Sequence, residues 1–180
     1  MQQHERMTVG IEIYLDVETL RLSDEVPGGW ANVKDFGLAV GVTWDAEHGF
    51  RHWFEKDAER LVTELAQFSR IITFNGERFD FQVLRGYTEV GKLYARSFDL
   101  HTYLQAQVGH RVKFDLLAQA TLGRGKSGSG VEAVAWWRAG KTTEVVRYCQ
   151  DDVQMLVDIV TFGRRHGYVL IDSERVNANW

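Results

Sequence analysis

Apolar and polar positions change period several times along the chain, and each change marks an element. Ile11 to Leu15 (IEIYL) alternates and then runs apolar before stopping at an acidic cluster, which predicts a central strand. Arg21 to Asn32 holds Ser, Asp, Pro and two Gly and reads as a loop. Phe36 to Trp44 and Phe50 to Phe54 are strand-like and flank the turn-like Asp45–Gly49, so they predict an antiparallel hairpin. Asp57 to Phe68 has Leu61, Leu65 and Phe68 at helical spacing, with Asp57 as N-cap. Ile71 to Phe74 is a short apolar strand closed by Asn75-Gly76, and a helix follows over Glu77 to Gly86. Phe98 to Leu122 reads as two helices parted by Gly109–Lys113, with Asp99 as a helix cap. Gly123 to Gly130 is a flexible loop, and Thr142 to Phe162 is the last long helix. Tyr168 to Ile171 reads as a terminal strand or arm. Early hairpin strands followed by helix–strand–helix predict an α/β domain with a mixed sheet, antiparallel early and parallel later.

Composition narrows the class. At 180 residues, 44% hydrophobic and 26% charged, the chain suits one globular domain over residues 1–180, with 1–8 as a flexible N-terminus. One Cys cannot form an internal disulfide, and no apolar run approaches the roughly 20 residues of a membrane span. The expectation is a cytoplasmic protein with no membrane association. A net charge of −4 argues against a broad basic surface. It leaves room for a site whose acids are neutralised by bound cations.

Three segments carry those acids. Asp16 and Glu18 are two apart at the end of the first strand, so they share one face and can bind a hard cation through oxygen. Asn75-Gly76-Glu77-Arg78-Phe79-Asp80 follows another apolar strand and puts Asp80 in the first turn of a helix. In the long helix, Val145, Cys149, Val153, Leu156 and Val160 form one apolar arc. Asp152 lies on the flank of that arc, about 60° from its centre, with Tyr148 one turn earlier on the same flank and Asp151 on the polar face. An inward-leaning carboxylate is costly unless paired, either with a cation or with an arginine such as Arg147.

The three motifs together resemble the DEDD exonuclease superfamily, tyrosine subgroup: DxE at Asp16 and Glu18, Asn–x2–3–(Phe/Tyr)–Asp at Asn75, Phe79 and Asp80, and Tyr–x3–Asp at Tyr148 and Asp152. The resemblance implies a ribonuclease H-like fold with a mixed five- or six-stranded sheet flanked by helices. It implies two divalent cations, Mg2+ or Mn2+, held by Asp16, Glu18, Asp80 and Asp152. It also implies 3′-to-5′ hydrolysis of a single-stranded DNA or RNA 3′ end to nucleoside 5′-monophosphates. Tyr148 would orient the nucleophilic water, and Glu18 and Asn75 would contact the terminal nucleotide. The Gly-rich loop adds Lys126, a candidate for phosphate contact together with the loop's backbone amides.

Other readings fit less well. GRGKSGSG is not a phosphate-binding P-loop, because position 120 is Ala120 and no strand precedes it. An aspartyl-phosphate phosphatase needs a second Asp where Glu18 stands. A non-catalytic nucleic-acid-binding module or an endonuclease on the same fold remains an alternative. Trp44 and Trp53 read as sheet and core residues, Trp136-Trp137 as packing with one ring able to stack on a base, and His101 as surface or packing. The six His show no metal-ligand spacing.

Overall fold

The computed structural model describes residues 12–180, so Ile11 and the expected flexible segment 1–8 lie outside the described residues. Five strands form one mixed sheet in the order β3-β2-β1-β4-β5. β1 (Glu12–Thr19) is its centre. β2 (Leu38–Asp45) and β3 (Gly49–Phe54) add antiparallel on one side. β4 (Arg70–Thr73) and β5 (Ser97–Asp99) add parallel on the other. The mixed sheet and its hairpin are those expected, with five strands rather than six. β6 (Tyr168–Ile171) does not extend the sheet but pairs with β7 (Glu174–Asn177) in a separate hairpin.

The period-2 pattern of β1 divides two cores. Ile13, Leu15 and Val17 face helices α1 (Ala58–Leu65) and α2 (Asp80–Arg85). Tyr14 points to the opposite face, where α4 (Leu100–Val108), α5 (Phe114–Leu122), α6 (Gly130–Arg138) and α7 (Thr142–His166) pack. By the same alternation Asp16 and Glu18 share the α7 face. They do not end the strand as expected: β1 runs on to Thr19, held by Asp16↔Val42 and Glu18↔Val40, with a register irregularity between Glu18 and Thr19. The apolar run stops at Leu15, but backbone pairing with β2 does not require apolar side chains. On its other flank β1 pairs with β4 only over Glu12 to Tyr14. The acids therefore lie beyond the carboxyl end of the parallel strands, where an open α/β sheet leaves a crevice.

Several local expectations change. Arg21–Asn32 is not featureless: 3-10 turns cover Ser23–Glu25 and Gly29–Asp35. Phe36 precedes β2 and is buried as a core residue. Asp57 makes no cap bond to α1, because its carboxylate accepts instead from the Phe54 amide across a 3-10 turn. α2 begins at Asp80 rather than Glu77, since Asn75 turns through φ +65° and the chain needs tight turns before it can enter a helix. The short helix α3 (Gly91–Tyr94) and α6 were not foreseen as elements. Trp53 is buried and donates its indole N–H to Thr43, and His101 is buried beside Phe74. No helix among the described residues is long and apolar enough to cross a membrane.

Candidate active site

Three elements bring the expected acids together. β1 supplies Asp16 and Glu18, the first residue of α2 is Asp80, and α7 supplies Tyr148 and Asp152. Glu18, Asp80, Tyr148 and Asp152 are buried and Asp16 is half-buried. A cleft of about 670 Å³ opens onto Asp16, Glu18, Tyr148, Asp152 and Lys126, and Trp30 also lines it. Asn75 does not line it. Its backbone instead makes the turn that carries Asp80 under β1, and Gly76 is required there because a Cβ would meet the Thr73 side chain at 2.4 Å.

Burial and mutual repulsion set the charge state. Glu18 is pushed well above the usual carboxylate range, first by burial and then by Asp16 and Asp152. Asp80 is pushed well up by burial and then by Asp16 and Asp99. Asp152 rises to about 7, from burial and then Asp16, against the opposing pull of Lys126. Asp16 is raised by burial, against the pull of Lys126. Burial disfavours the Lys126 ammonium, yet Asp152 and Asp16 outweigh it and hold it protonated.

Lys126 is the partner of Asp152, its Nζ 2.5 Å from Oδ2, where an arginine such as Arg147 was the alternative. The Gly-rich loop can deliver it because it is tied down. Asp115 accepts from the Lys126 amide at 2.6 Å, Arg124 pairs with Asp158, and Ser129 caps α6. Gly128 packs against Trp136 and Tyr148, where a Cβ would lie 3.0 Å from the indole. The Lys126 amide is thus already bonded and is not free to receive a phosphate as expected. Its ammonium also lies 5.1 Å from the Tyr148 ring centre.

The donor set suits a hard cation. Four carboxylates face one ammonium, and Asp80 Oδ1 and Asp152 Oδ1 are buried with no hydrogen-bond partner. Asp16, Glu18 and Cys149 offer ligand atoms within 4.8 Å of one another. Cys149 was legible only as an apolar-arc residue. In the fold its thiol donates to the Asp16 main-chain and carboxylate oxygens, both at 3.3 Å, and burial pushes its pKa well up so that it stays a donor.

Asp99 is a second positioning residue. It caps α4 through the His101 and Thr102 amides, as expected of a helix cap. The same carboxylate also accepts from the Asn75 amide at 2.8 Å and the Glu77 amide at 3.2 Å, bracing the turn before Asp80. That second role pairs residues 24 apart in sequence and has no local signal. Asp99→Ala should lower stability by about 2–4 kcal/mol, summing a lost cap and two unpaired amides. Urea denaturation checks this, and Asp99→Asn, which keeps one acceptor oxygen, should lose less.

A mixed sheet of this order, with buried carboxylates where its antiparallel and parallel halves part, defines a ribonuclease H-like protein. The family model of the RNase H superfamily matches residues 13–162, and the chain belongs to that superfamily. Membership is consistent with a nuclease. Among solved structures, the chain is similar to the family B DNA polymerase from the hyperthermophilic archaeon Pyrobaculum calidifontis, with a TM-score of 0.60 and 11% identity. The match covers 84% of this chain and 24% of the polymerase chain, so it is a likeness of fold to about a quarter of that protein. Comparison with curated protein sequences finds no match.

Proposed function

We propose that the chain is a divalent-metal-dependent 3′-to-5′ exonuclease that acts on single-stranded nucleic acid and releases nucleoside 5′-monophosphates. The observation that carries this reading is the meeting of half-buried Asp16 with buried Glu18, Asp80 and Asp152 in one mutually repelling group with two unpartnered carboxylate oxygens. The direction of attack rests on the resemblance of the three motifs to tyrosine-type DEDD exonucleases, with Tyr148 placed beside Asp152.

Asp16, Glu18, Asp80 and Asp152 would hold two cations, Mg2+ or Mn2+, which supply positive charge for water activation and for the leaving 3′ oxygen. The protein's own groups do the rest. Tyr148 stays protonated, since burial and then Asp152 raise its pKa, so its hydroxyl can orient the attacking water. Cys149 fixes the Asp16 carboxylate and Asp99 fixes the approach of Asp80. Lys126 holds the charge of Asp152 and is placed to take up a phosphate oxygen as the strand enters.

Digestion of 5′-labelled DNA and RNA strands with Mg2+ or Mn2+ tests the reading. The expected product is a ladder that shortens from the 3′ end, and internal cuts would overturn exonuclease action. Tyr148→Phe should slow hydrolysis about 10- to 100-fold while sparing binding, because it removes orientation but leaves the carboxylates. The Lys126–Asp152 ion pair favours a second reading, a binding module whose acids are already partly neutralised. That module would shift the strand in a gel and leave it uncut.

A further inference from the structure

Next to the acid cleft lies a second cleft of about 500 Å³, and Trp30 lines both. Trp30 is 70% exposed, although a ring of this size normally buries itself. It is held by two rings, its centroid 5.5 Å from that of Phe36 and 6.1 Å from that of Phe79, while most of the indole stays open to solvent. Val131, 62% exposed, lines the acid cleft as well. Two of the large exposed apolar side chains among the described residues thus stand at the mouth of the buried acids.

The second cleft has the opposite charge to the first. Lys34, Arg78 and Arg85 line it against one acid, Glu77, in a chain whose net charge is −4. Arg78 and Arg85 are exposed and make no ion pair among the described residues, and Lys34 has only a loose contact of 3.6 Å with Asp35. Unpaired guanidinium groups in a concavity match phosphate oxygens, and an exposed aromatic face matches a base of any sequence. Acids, then an aromatic step, then cations is the order in which a single strand would meet scissile bond, base and backbone.

We propose that the single strand runs from the acid cleft across Trp30, which stacks a base, into this basic cleft, where Arg78 and Arg85 hold phosphates on the 5′ side of the scissile bond. This strand path rests on the exonuclease reading for its polarity, but its binding contacts are testable alone. It makes Trp30, Arg78 and Arg85 determinants of strand length preference, with Lys34 as an outer contact.

The test is fluorescence anisotropy of a 5′-labelled thymidine 20-mer with 3′-terminal phosphorothioates, in Ca2+, over a range of salt. Arg78→Glu/Arg85→Glu should weaken binding about 10-fold or more and lower the slope of log affinity against log salt by about 1.4, two phosphate contacts at about 0.7 each. Trp30→Ala should weaken binding about 10-fold and leave the slope unchanged. Lys92→Glu/Arg165→Glu alters charge equally outside the cleft and should bind as wild type. Wild-type affinity in Arg78→Glu/Arg85→Glu, or no binding by the wild-type protein, overturns the strand path. A wild-type protein that cuts nothing in Mn2+ while these losses hold overturns the exonuclease reading and leaves the path standing.

Discussion

Asp152→Asn should reduce strand hydrolysis by roughly 1000-fold or more, equivalent to about 4 kcal/mol of transition-state stabilisation. Asp152 is buried, one of its oxygens has no partner, and the other meets Lys126. Asn is close to isosteric and its carbonyl can still accept from Lys126, so the substitution removes charge without opening a cavity. It also relieves the repulsion that raises Asp152 and Glu18. The metal-free variant should therefore melt at or above the wild-type temperature. Single-turnover hydrolysis and a melting curve on the same sample separate loss of chemistry from loss of fold. Near-wild-type hydrolysis would remove Asp152 from the site. Loss of both activity and folding would make it a structural residue.

In a chelator, thermal stability should fall as pH rises from about 4 to 7, and Mn2+ or Mg2+ should reverse the fall. Asp152 holds its proton more tightly in the folded state, with a pKa of about 7 against the ordinary 3.8. The native state then binds more protons than the unfolded chain between those values, so stability declines with pH across that window. The penalty is absent below about 4 and complete above about 7. Its size is on the order of 4 kcal/mol, or roughly 8–16 °C in melting temperature for a chain of this length. Glu18 and Asp80 shift in the same direction. Cation binding requires the ionised carboxylates, so it should tighten as pH rises, and a cation at 100 times its dissociation constant restores about 2.7 kcal/mol. Melting temperatures that ignore both pH and added cation would show that the acids do not form one charged group.

Much of the candidate site could be read from local spacing. The i, i+2 relation put Asp16 and Glu18 on one face, and the helical wheel chose Asp152 over Asp151. In the fold Asp152 is buried and Asp151 is not. Both inferences succeed because side-chain direction follows from φ and ψ alone. The end of β1 and the start of α2 were misplaced for the complementary reason. Backbone hydrogen bonds hold Asp16 to Thr19 in the sheet whatever their side chains, and the positive φ of Asn75 delays the helix. The contribution of Trp30 was not legible, since an exposed indole and a buried one look alike in a loop sequence.

By itself the sequence determined the mixed sheet, the faces on which the acids stand and the order of the three motifs along the chain. These depend on periodicity, which each segment carries within itself. Only the tertiary structure decided that Lys126 meets Asp152, that Cys149 holds Asp16, that Asp99 braces the Asn75 turn, and that Arg78 and Arg85 share a cleft with Trp30. Such contacts join residues 24 to 133 positions apart. Their distances follow from how layers pack, a property of the whole chain that no local pattern encodes.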